Sequence, residues 1–526
     1  MLFRSKLIKF FSKKNIENYS VYKVFKKKNK ESNIILKITN QLSNLKFYKN
    51  NLIEEFFIPE KNNLDKSISQ YLAANIYIKV LNKKIISSFR QKVSLPLEKE
   101  VYLKLTNFIN IKKYSSFILF ALFVLKEFFF GFSYFFLKLL EYITKYFYFR
   151  TKLNNSAYFI SLLNHQCLTD DNRNYNIYNW FKNFNSDNKK NINFYFHNIK
   201  IKSIDENKKY LKSPVNILEF KTFVFFLLFG SLLIFVSFIS LFFLRWKLAL
   251  LSKDILSKLI IQNTSSKYCF KEYLFNNSSW IYKPLWVDEV EKKGSKVIMY
   301  FYSMNIENIK KNSESIHLTD SFWNLCTWKN YYVWNIEHKN ILNNFIKFVP
   351  AKIEIVGPIP YSDTSFNYNL FGDNEKKKIA IFDISLYRKS IRIYFNTVQE
   401  FYTYKTTKKF ISDILKLADK KEFTFYLKLK RHNSNFFDKN YINLIDSLKE
   451  IDNLKIIDPE ISAFKLTEFC DAAISLPFTS TAQVFKLKNK TSFYYDPISF
   501  FDKQHAAARG INILYYEDLK KWINNL

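Results

Sequence analysis

A short run of hydroxyl residues after an apolar segment is the clearest sign of a binding site in this sequence. It reads Ser-Leu-Pro-Phe-Thr-Ser-Thr-Ala over residues 475–482. We expect a strand to end at Ser475 and a helix to begin after Pro477, with Thr479, Ser480 and Thr481 at its start. Hydroxyl and free N–H groups at a helix N-terminus bind anions, because the helix dipole is positive there. The pattern predicts a phosphate site, and its alternative is ordinary helix capping.

A second cluster is basic and closes another predicted strand. Residues 428–432 read Lys-Leu-Lys-Arg-His. Ligands of parallel α/β sheets bind beyond the carboxyl ends of the strands, so this strand end would face the same crevice. The cluster would contribute three fixed charges and one imidazole, from Lys428, Lys430, Arg431 and His432. In a chain so rich in lysine, the same pattern also fits a solvated strand end.

One carboxylate follows a third predicted strand of the same half. Asp496 comes after the apolar segment 492–495 and precedes Pro497. Its carboxylate could contact the ribose of a nucleotide. The alternative is that it forms the turn that precedes the proline.

Several kinds of site are excluded by composition and spacing. Only six glycines occur among 526 residues, and no two are close enough to form a Walker A loop or a GxGxxG fingerprint. The four cysteines and six histidines show no zinc-ligand spacing. No Asp-x-Asp pair exists to hold a metal-bound nucleotide. We therefore expect neither a metal nor another cofactor.

The net charge is high, but it does not identify a partner. Lys and Arg number 81 against 46 Asp and Glu, which gives a formal charge of +35. The basic residues are spread along the chain, and the excess of Lys, Asn, Ile, Phe and Tyr is what codons rich in A and T produce. A nucleic-acid partner is therefore not expected.

The elements that must position these side chains form a regular series in the C-terminal third. Segments 379–382, 423–428, 454–457, 472–475 and 492–495 are typical of buried strands, and amphipathic helices separate several of them. Such alternation predicts βαβ units and a parallel, doubly wound sheet. Upstream, segments 296–302 and 352–356 also read as strands. The connection 357–376, which contains Pro, Ser, Asn and Gly, is the best candidate for a linker between domains.

Two apolar runs point to a membrane. Residues 223–244 carry no charge and are long enough to cross a bilayer core of about 30 Å. Residues 117–149 are longer but include five charged residues, which favours a helix at the membrane surface or a weaker span. Either run could instead be a buried core helix. Basic residues are abundant on both sides of each run, which favours monotopic insertion or a hairpin that dips and returns. The basic N-terminus has no cleavable signal pattern, so we expect a cytoplasmic start.

At the hydroxyl run the sequence becomes familiar. Residues 470–483, CDAAISLPFTSTAQ, followed by SFYYDP and HAAARGINIL, resemble the polysaccharide-biosynthesis proteins named for their Pro-Phe-Thr-Ser motif. The resemblance continues upstream through NNSSWIYKPLWVDEVEKKGSKVIMYFYSMN, CTWKNYYVWN and KLKRHN. It covers about half the chain, from residue 268 to the C-terminus. Members of that family are regarded as glycosyltransferases of surface carbohydrate assembly.

The resemblance implies an α/β fold with a glycosyltransferase-B-like pair of Rossmann-like domains facing a cleft. It implies a first domain over residues 150–356, on the acceptor side and interrupted by the membrane segment, and a nucleotide-sugar domain over residues 377–526. The first 220 residues match nothing that we can name, and residues 1–116 form a basic N-terminal region to which no fold is assigned. Similar bacterial transferases use CMP-activated sugars and hold the donor with a His-Pro element and a Ser/Thr pair. Here Asn433 follows His432, whereas Thr479, Ser480 and Thr481 match the second element.

The same resemblance suggests where a general base would stand. Sugar transfer requires a group that takes the proton of the acceptor hydroxyl. Asp288 and Glu289 are the adjacent acids of the resembling segment, and Glu337 is a further candidate. The related acid-acid-Gly element is altered, since Val290 follows Glu289. The alternative is that Asp288 and Glu289 open an exposed helix.

These features lead to one main hypothesis and one rival. The main hypothesis is a membrane-associated glycosyltransferase on the cytoplasmic face of the bacterial inner membrane, which moves a sugar from a nucleotide donor to a surface-polysaccharide or lipid-linked acceptor. The rival is a non-catalytic, membrane-bound scaffold or binding protein of the same assembly. Donor binding discriminates between them.

Overall fold

The computed structural model describes a large part of the chain in several stretches. The described residues are 52–58, 61–72, 92–107, 110–146, 158–162, 180–181, 184, 192–196, 208–211, 213–243, 245–277, 280, 282–301, 303–304, 323–346, 349–358, 376–387, 401–418, 423–432, 436–459, 461 and 463–525. Most of the linker predicted over residues 357–376 lies outside them, as does Tyr302 at the end of the strand predicted over residues 296–302.

The first sheet is parallel and has the strand order β3-β2-β1-β4-β5-β6-β7. Its strands are β1 Tyr158–Leu162, β2 Ile192–Phe196, β3 Lys208–Leu211, β4 Glu272–Asn276, β5 Lys296–Tyr300, β6 Asn330–Val333 and β7 Lys352–Ile355. Strands β4 and β5 are buried from their second residue to their last, as their nearly continuous apolar and aromatic sequences predict.

Helices cover this sheet and also form a layer outside it. They are α1 Leu52–Phe57, α2 Lys61–Leu72, α3 Lys99–Leu105, α4 Lys113–Tyr146, α5 Phe220–Phe242, α6 Lys247–Asn263, α7 Leu285–Lys292 and α8 Ile336–Phe345. Helices α5 and α6 form the crossover from β3 to β4. The glycines of the layer allow close packing: a Cβ at Gly131 of α4 would stand 2.0 Å from the Ser252 hydroxyl of α6. Two helices, Lys113–Thr144 and Phe220–Phe242, are long and apolar enough to cross a membrane.

The second sheet is also parallel, with the order β10-β9-β8-β11-β12-β13. Its strands are β8 Lys377–Phe382, β9 Phe423–Lys428, β10 Leu454–Ile457, β11 Ala472–Ser475, β12 Thr491–Tyr495 and β13 Asn512–Leu514. Its helices are α9 Tyr404–Ala418, α10 Lys439–Ser447, α11 Ala463–Phe469, α12 Ser480–Leu487 and α13 Tyr516–Asn525. In sequence order this is the 3-2-1-4-5-6 arrangement of Rossmann domains, and it reverses direction between β8 and β11.

The predicted fold class is confirmed, because the chain forms two parallel α/β sheets, with one long apolar helix before the first sheet and another between its strands β3 and β4. Strands β9, β10 and β11 have the predicted bounds, and β8 and β12 begin one or two residues earlier than predicted. The seven-residue helix α11 and the three-residue strand β13 were not predicted.

The two domains touch through side chains at the ends of strands. Met304 and Trp334 follow β5 and β6 of the first domain, and they form one buried cluster with Phe464 of α11 and Val484 of α12. Arg509 of the second domain donates from Nη1 to the backbone oxygen of Met304 at 2.8 Å. We call these five residues the domain seam.

Candidate functional site

The crevice of the second sheet opens where its strand order reverses, between the carboxyl ends of β8 and β11. Ligands of open α/β sheets bind at such a reversal. From β11 the chain turns through Pro477 and Phe478 into α12, and Phe478 holds a positive φ of 64°. A positive φ is uncommon for a bulky residue, and surrounding contacts must maintain it. The phenyl ring is buried against Phe501, His505 and Tyr494.

The start of α12 lacks the capping bond that would make it an ordinary helix end. Thr479 takes the N-cap position, but its side chain accepts no hydrogen bond from the first turn. Its hydroxyl instead accepts from Thr481 Oγ1 at 3.1 Å. The carbonyl oxygens of Pro477 and Thr479 are fixed by the hydroxyls of Tyr402 and Tyr494, at 2.9 and 3.0 Å. The turn is therefore held from outside, and within the described part of the chain no side chain caps the first turn of α12.

Across the crevice, β8 ends in a buried acid that the sequence did not single out. The Asp383 carboxylate accepts hydrogen bonds from the Tyr441 hydroxyl and from the Ser385 N–H. Burial raises the pKa of Asp383 above its ordinary value. Ser385 has a positive φ of 48°, and its hydroxyl accepts from the N–H of Lys430 at 3.1 Å. This second turn therefore links the end of β8 to the basic cluster.

The basic cluster lies two strands away from the strand that leads into α12. Strand β9 pairs with β8, and β8 pairs with β11, so β9 is not the direct neighbour of the hydroxyl turn. Lys428 is buried, and its ammonium donates to the carbonyl oxygens of Leu429 and Pro459. Burial lowers its pKa to about 7, so it is only partly charged at neutral pH.

The rest of the basic cluster is exposed. The Arg431 guanidinium lies 5.1 Å from the centre of the Tyr387 ring. Arg431 therefore presents charge to solvent at this edge, with Lys430 and His432 beside it; desolvation of the Lys430 ammonium lowers its pKa to about 8.

Asp496 is held as a cap of its own loop. Its carboxylate accepts N–H groups from Ile498, Phe500 and Phe501, at 3.1, 2.6 and 2.8 Å. The side chain is fully buried, and burial raises its pKa. These contacts orient the loop after β12 and use the oxygens that a ribose would need.

The three candidate acids of the first domain have different surroundings. Asp288 and Glu289 lie on α7, where Asp288 pairs with Lys283 at 2.6 Å. Glu289 is buried and pairs with Lys292 at 3.2 Å and Lys258 at 3.9 Å. These two acids are held by cations.

Glu337 is the third acid, and it stands in the first turn of α8, just after the carboxyl end of β6. It is half-buried, and within the described part of the chain no ion pair involves it. It lies three residues beyond Trp334 of the domain seam. Glu337 is thus the candidate acid whose position in the sequence brings it closest to the seam.

Tryptophan rings can stack on a sugar, but three tryptophans of the first domain are part of its core. Trp323, Trp328 and Trp334 are 2% exposed or less. The indole N–H of Trp334 donates to Phe301 O at 2.8 Å, and that of Trp328 donates to Trp280 O at 2.9 Å. Trp334 therefore links the ends of β5 and β6, Trp328 links β6 to the loop after β4, and all three rings are buried.

One further titratable group lies beside the seam. His338 is fully buried on α8, and among the described residues neither ring nitrogen has a hydrogen-bond partner. Its ring meets Phe301 edge-on, with 4.8 Å between centroids. Burial, together with the charge of Arg509, lowers its pKa well below the ordinary value, so the imidazole is neutral.

Comparisons with known proteins give a family and several structural neighbours. The family model described as "Polysaccharide biosynthesis PFTS motif protein" matches residues 236–523, which is more than half of the chain. No curated protein sequence matches significantly.

Among solved structures, α,α-trehalose 6-phosphate synthase from Burkholderia multivorans is 9% identical, with a TM-score of 0.37 over 71% of this chain and 90% of that one. A variant of the wall teichoic acid polymerase TagF is 11% identical, with a TM-score of 0.37 over 74% and 88%. A glycosyltransferase of kitacinnamycin is 8% identical, with a TM-score of 0.34 over 71% and 90%.

Proposed function

Because the chain belongs to the polysaccharide biosynthesis PFTS motif family, we propose that it is a membrane-associated glycosyltransferase. It moves a sugar from a nucleotide donor to a surface-polysaccharide or lipid-linked acceptor, at the cytoplasmic face of the bacterial inner membrane. The observation that carries the proposal is the start of α12, an uncapped helix end in the crevice of a Rossmann domain.

The donor phosphates bind at this helix start. Ser480 and Thr481 contribute hydroxyls, and the first-turn N–H groups point along the positive end of the helix dipole. Lys430 and Arg431 add charge from the far side of Ser385. Lys428 gains a proton when an anion binds, because a nearby negative charge raises the pKa of an amine.

The reaction needs one base and one stabilised leaving group. A carboxylate accepts the proton of the acceptor hydroxyl. The oxygen of that hydroxyl attacks the anomeric carbon of the donor sugar at the same time. The bond from that carbon to the donor phosphate breaks, and the leaving phosphate takes up negative charge. We assign the base to Glu337 in preference to Asp288 and Glu289, because the latter two are held in ion pairs. The start of α12 stabilises the leaving phosphate.

Donor binding tests this function against a scaffold role. CMP-, UDP- and GDP-sugars are each added to the full chain, and thermal unfolding is measured. A donor at 100 times its Kd stabilises the folded protein by about 2.7 kcal/mol. We expect one nucleotide class to give such a shift, with CMP-sugars tested first. If no class shifts the transition and no sugar is transferred, the scaffold role stands in its place.

Two substitutions test the phosphate site itself. Hydrogen bonds to a charged group are worth about 1.5–3 kcal/mol, so Ser480→Ala and Thr481→Ala should each weaken donor binding roughly tenfold to a hundredfold. Ser492→Ala, on the neighbouring strand β12, is the matched control and should bind donor normally. Calorimetric titration gives the affinities, and melting without donor gives stability. Unchanged donor affinity in both variants, with lowered melting temperatures, would mean that the motif only supports the fold.

A further inference from the structure

The two apolar helices form an antiparallel pair on one side of α6. Their rings meet along their whole length, with 5.4 Å between the centroids of Phe135 and Phe226 and 4.4 Å between those of Tyr142 and Phe223. At the other end, Phe120 of α4 meets Trp246, which precedes α6, at 5.0 Å. Helices α4, α5 and α6 therefore form one layer in which the three helix axes are roughly aligned.

Helix α6 joins this layer to the first α/β domain over most of its length. Near its start Lys247 lies 3.5 Å from Glu54 of α1. In its middle Asp254 accepts the N–H of Leu285 at 2.9 Å, and Lys258 lies 3.9 Å from Glu289 of α7. These contacts lie on the side of the layer that faces α1 and α7. The layer therefore lies flat along the domain and does not project from it.

The layer is polar towards the protein and apolar away from it. Glu127 of α4 accepts a hydrogen bond from Tyr71, and Lys138 donates to the carbonyl oxygen of Val215. Thr222 of α5 donates to the carbonyl oxygen of Asn263. What we call the outer face consists of large exposed apolar side chains, among them Leu122, Phe129 and Leu137 of α4 and Leu228, Phe235 and Phe242 of α5.

We infer that the outer face is immersed in one leaflet of a lipid bilayer, with α4 and α5 parallel to the membrane plane and neither helix crossing it. Contiguous exposed apolar surface of this extent marks an interaction site. Charges that are turned inward and bonded to protein are what a hydrocarbon environment requires. The inference rests on the membrane association proposed above and is independent of the transferase reaction.

The attachment of α6 excludes a crossing. The midpoint of α5, at Gly230, packs on Leu256 of α6. Asp254 and Lys258 lie on α6 within a turn of Leu256, and Lys258 contacts Glu289 of α7. Packed helices are only 8–10 Å apart, so a crossing α5 would draw these charges and their domain into the bilayer centre.

One charged side chain of α4 faces outward, and its position also agrees with the flat orientation. Lys126 is 55% exposed and lies near the middle of α4, where its ammonium pairs with Glu127 and lies over Phe123 and Phe130. In a crossing helix it would stand about 20 Å from the helix start, in the hydrocarbon. In a helix that lies in the membrane surface, its long side chain reaches the headgroups.

Spin labels along α5 test the orientation. The full chain carries Cys167→Ser, and the described cysteines Cys269, Cys326 and Cys470 are buried. Four exposed positions each receive one cysteine in turn, as Phe220→Cys, Leu228→Cys, Phe235→Cys and Phe242→Cys. The labelled proteins are bound to vesicles of phosphatidylethanolamine and phosphatidylglycerol, and depth is measured from collisions with oxygen and with a water-soluble nickel complex. A label at Tyr516→Cys, on α13, is the aqueous control.

We expect the four α5 labels to lie at one similar depth, about 5–10 Å below the headgroups. A crossing helix would instead place the labels at residues 228 and 235 about 10–12 Å deeper than those at residues 220 and 242, at 1.5 Å per residue, and would overturn the inference while leaving membrane association intact. Four water-exposed labels would overturn both. Coupling between labels of two chains, without lipid contact, would show that a second copy covers the face. Transferase assays in the same vesicles report separately on the reaction.

Discussion

At the scale of the residue, Lys428 should make stability depend on pH in the alkaline range. Its pKa is about 7 in the folded protein and about 10.4 in an unfolded chain. Between these values the unfolded chain binds the extra proton, so folding stability rises with pH, by up to about 1.4 kcal/mol per unit. Lys428→Met should remove its own share of this slope and leave the share of Lys430, whose pKa is lowered to about 8 by desolvation.

Urea unfolding at pH 7 and pH 9 measures the slope for the unaltered chain and the variant. Lys455→Met, at an exposed position of the adjacent strand β10, is the matched control and should keep it. Equal slopes in the unaltered chain and Lys428→Met would show that Lys428 stays charged in the folded protein.

The residues of the candidate site were predictable to different degrees. Thr479, Ser480 and Thr481 were predictable because a strand, a proline and a hydroxyl run are contiguous in sequence. Asp383 was not, because a single acid after an apolar strand has no distinctive spacing, and its partner Tyr441 is 58 residues away. The altered charge of Lys428 was not predictable either, since it depends on burial beneath the carbonyl oxygens of Leu429 and Pro459.

At the scale of the element, Gly131 is a position where α4 has no room for a side chain. An added Cβ would lie 2.0 Å from Ser252 Oγ and 3.0 Å from the backbone nitrogen of Lys253. Alanine stabilises a helix by about 1 kcal/mol relative to glycine, but overpacking costs about 1–3 kcal/mol. We therefore expect Gly131→Ala to destabilise the protein in detergent unfolding experiments.

A second substitution separates crowding from helix propensity. Ser252→Gly removes the side chain that Gly131→Ala would strike, so the double variant should regain part of the loss, as a double-mutant cycle would measure. A fully additive cycle would show that the two helices do not meet at these residues.

The elements themselves were largely predictable in the second domain. Its strands are buried runs of apolar residues, so each stands out from the helices that flank it. Strand β13 and helix α11 are too short to give a periodic pattern. The order of the strands depends on crossovers between segments far apart in the chain, which no local pattern records.

At the scale of the whole molecule, Arg509 links the second domain to the first. Its bond to Met304 O joins residues 205 positions apart, which sequence patterns could not reveal. A hydrogen bond from a charged group is worth about 1.5–3 kcal/mol. Arg509→Lys, which lacks the planar fork, should therefore lower turnover about tenfold or more, because the domains close less often on their two substrates.

Donor affinity should change little in Arg509→Lys, since the start of α12 is untouched. Calorimetric titration of donor beside steady-state kinetics gives both quantities. Arg431→Lys is the comparison for an arginine outside the domain seam, because the Arg431 side chain lies over Tyr387 within the second domain. A parallel loss of donor affinity and turnover in Arg509→Lys would place Arg509 in the donor site and not in domain closure.

Helices α5 and α6 connect two strands of the first sheet, and this has a consequence for how such a protein can evolve. A terminal anchor can be gained or lost by joining or cutting a gene at one end. Here the apolar segment is the crossover between β3 and β4, the strands that lie on either side of the β1–β2 pair. Its loss would leave the two parts of the sheet without their connection. Descendants of this chain can therefore change the outer face by point substitution, but they cannot discard the segment and keep the domain.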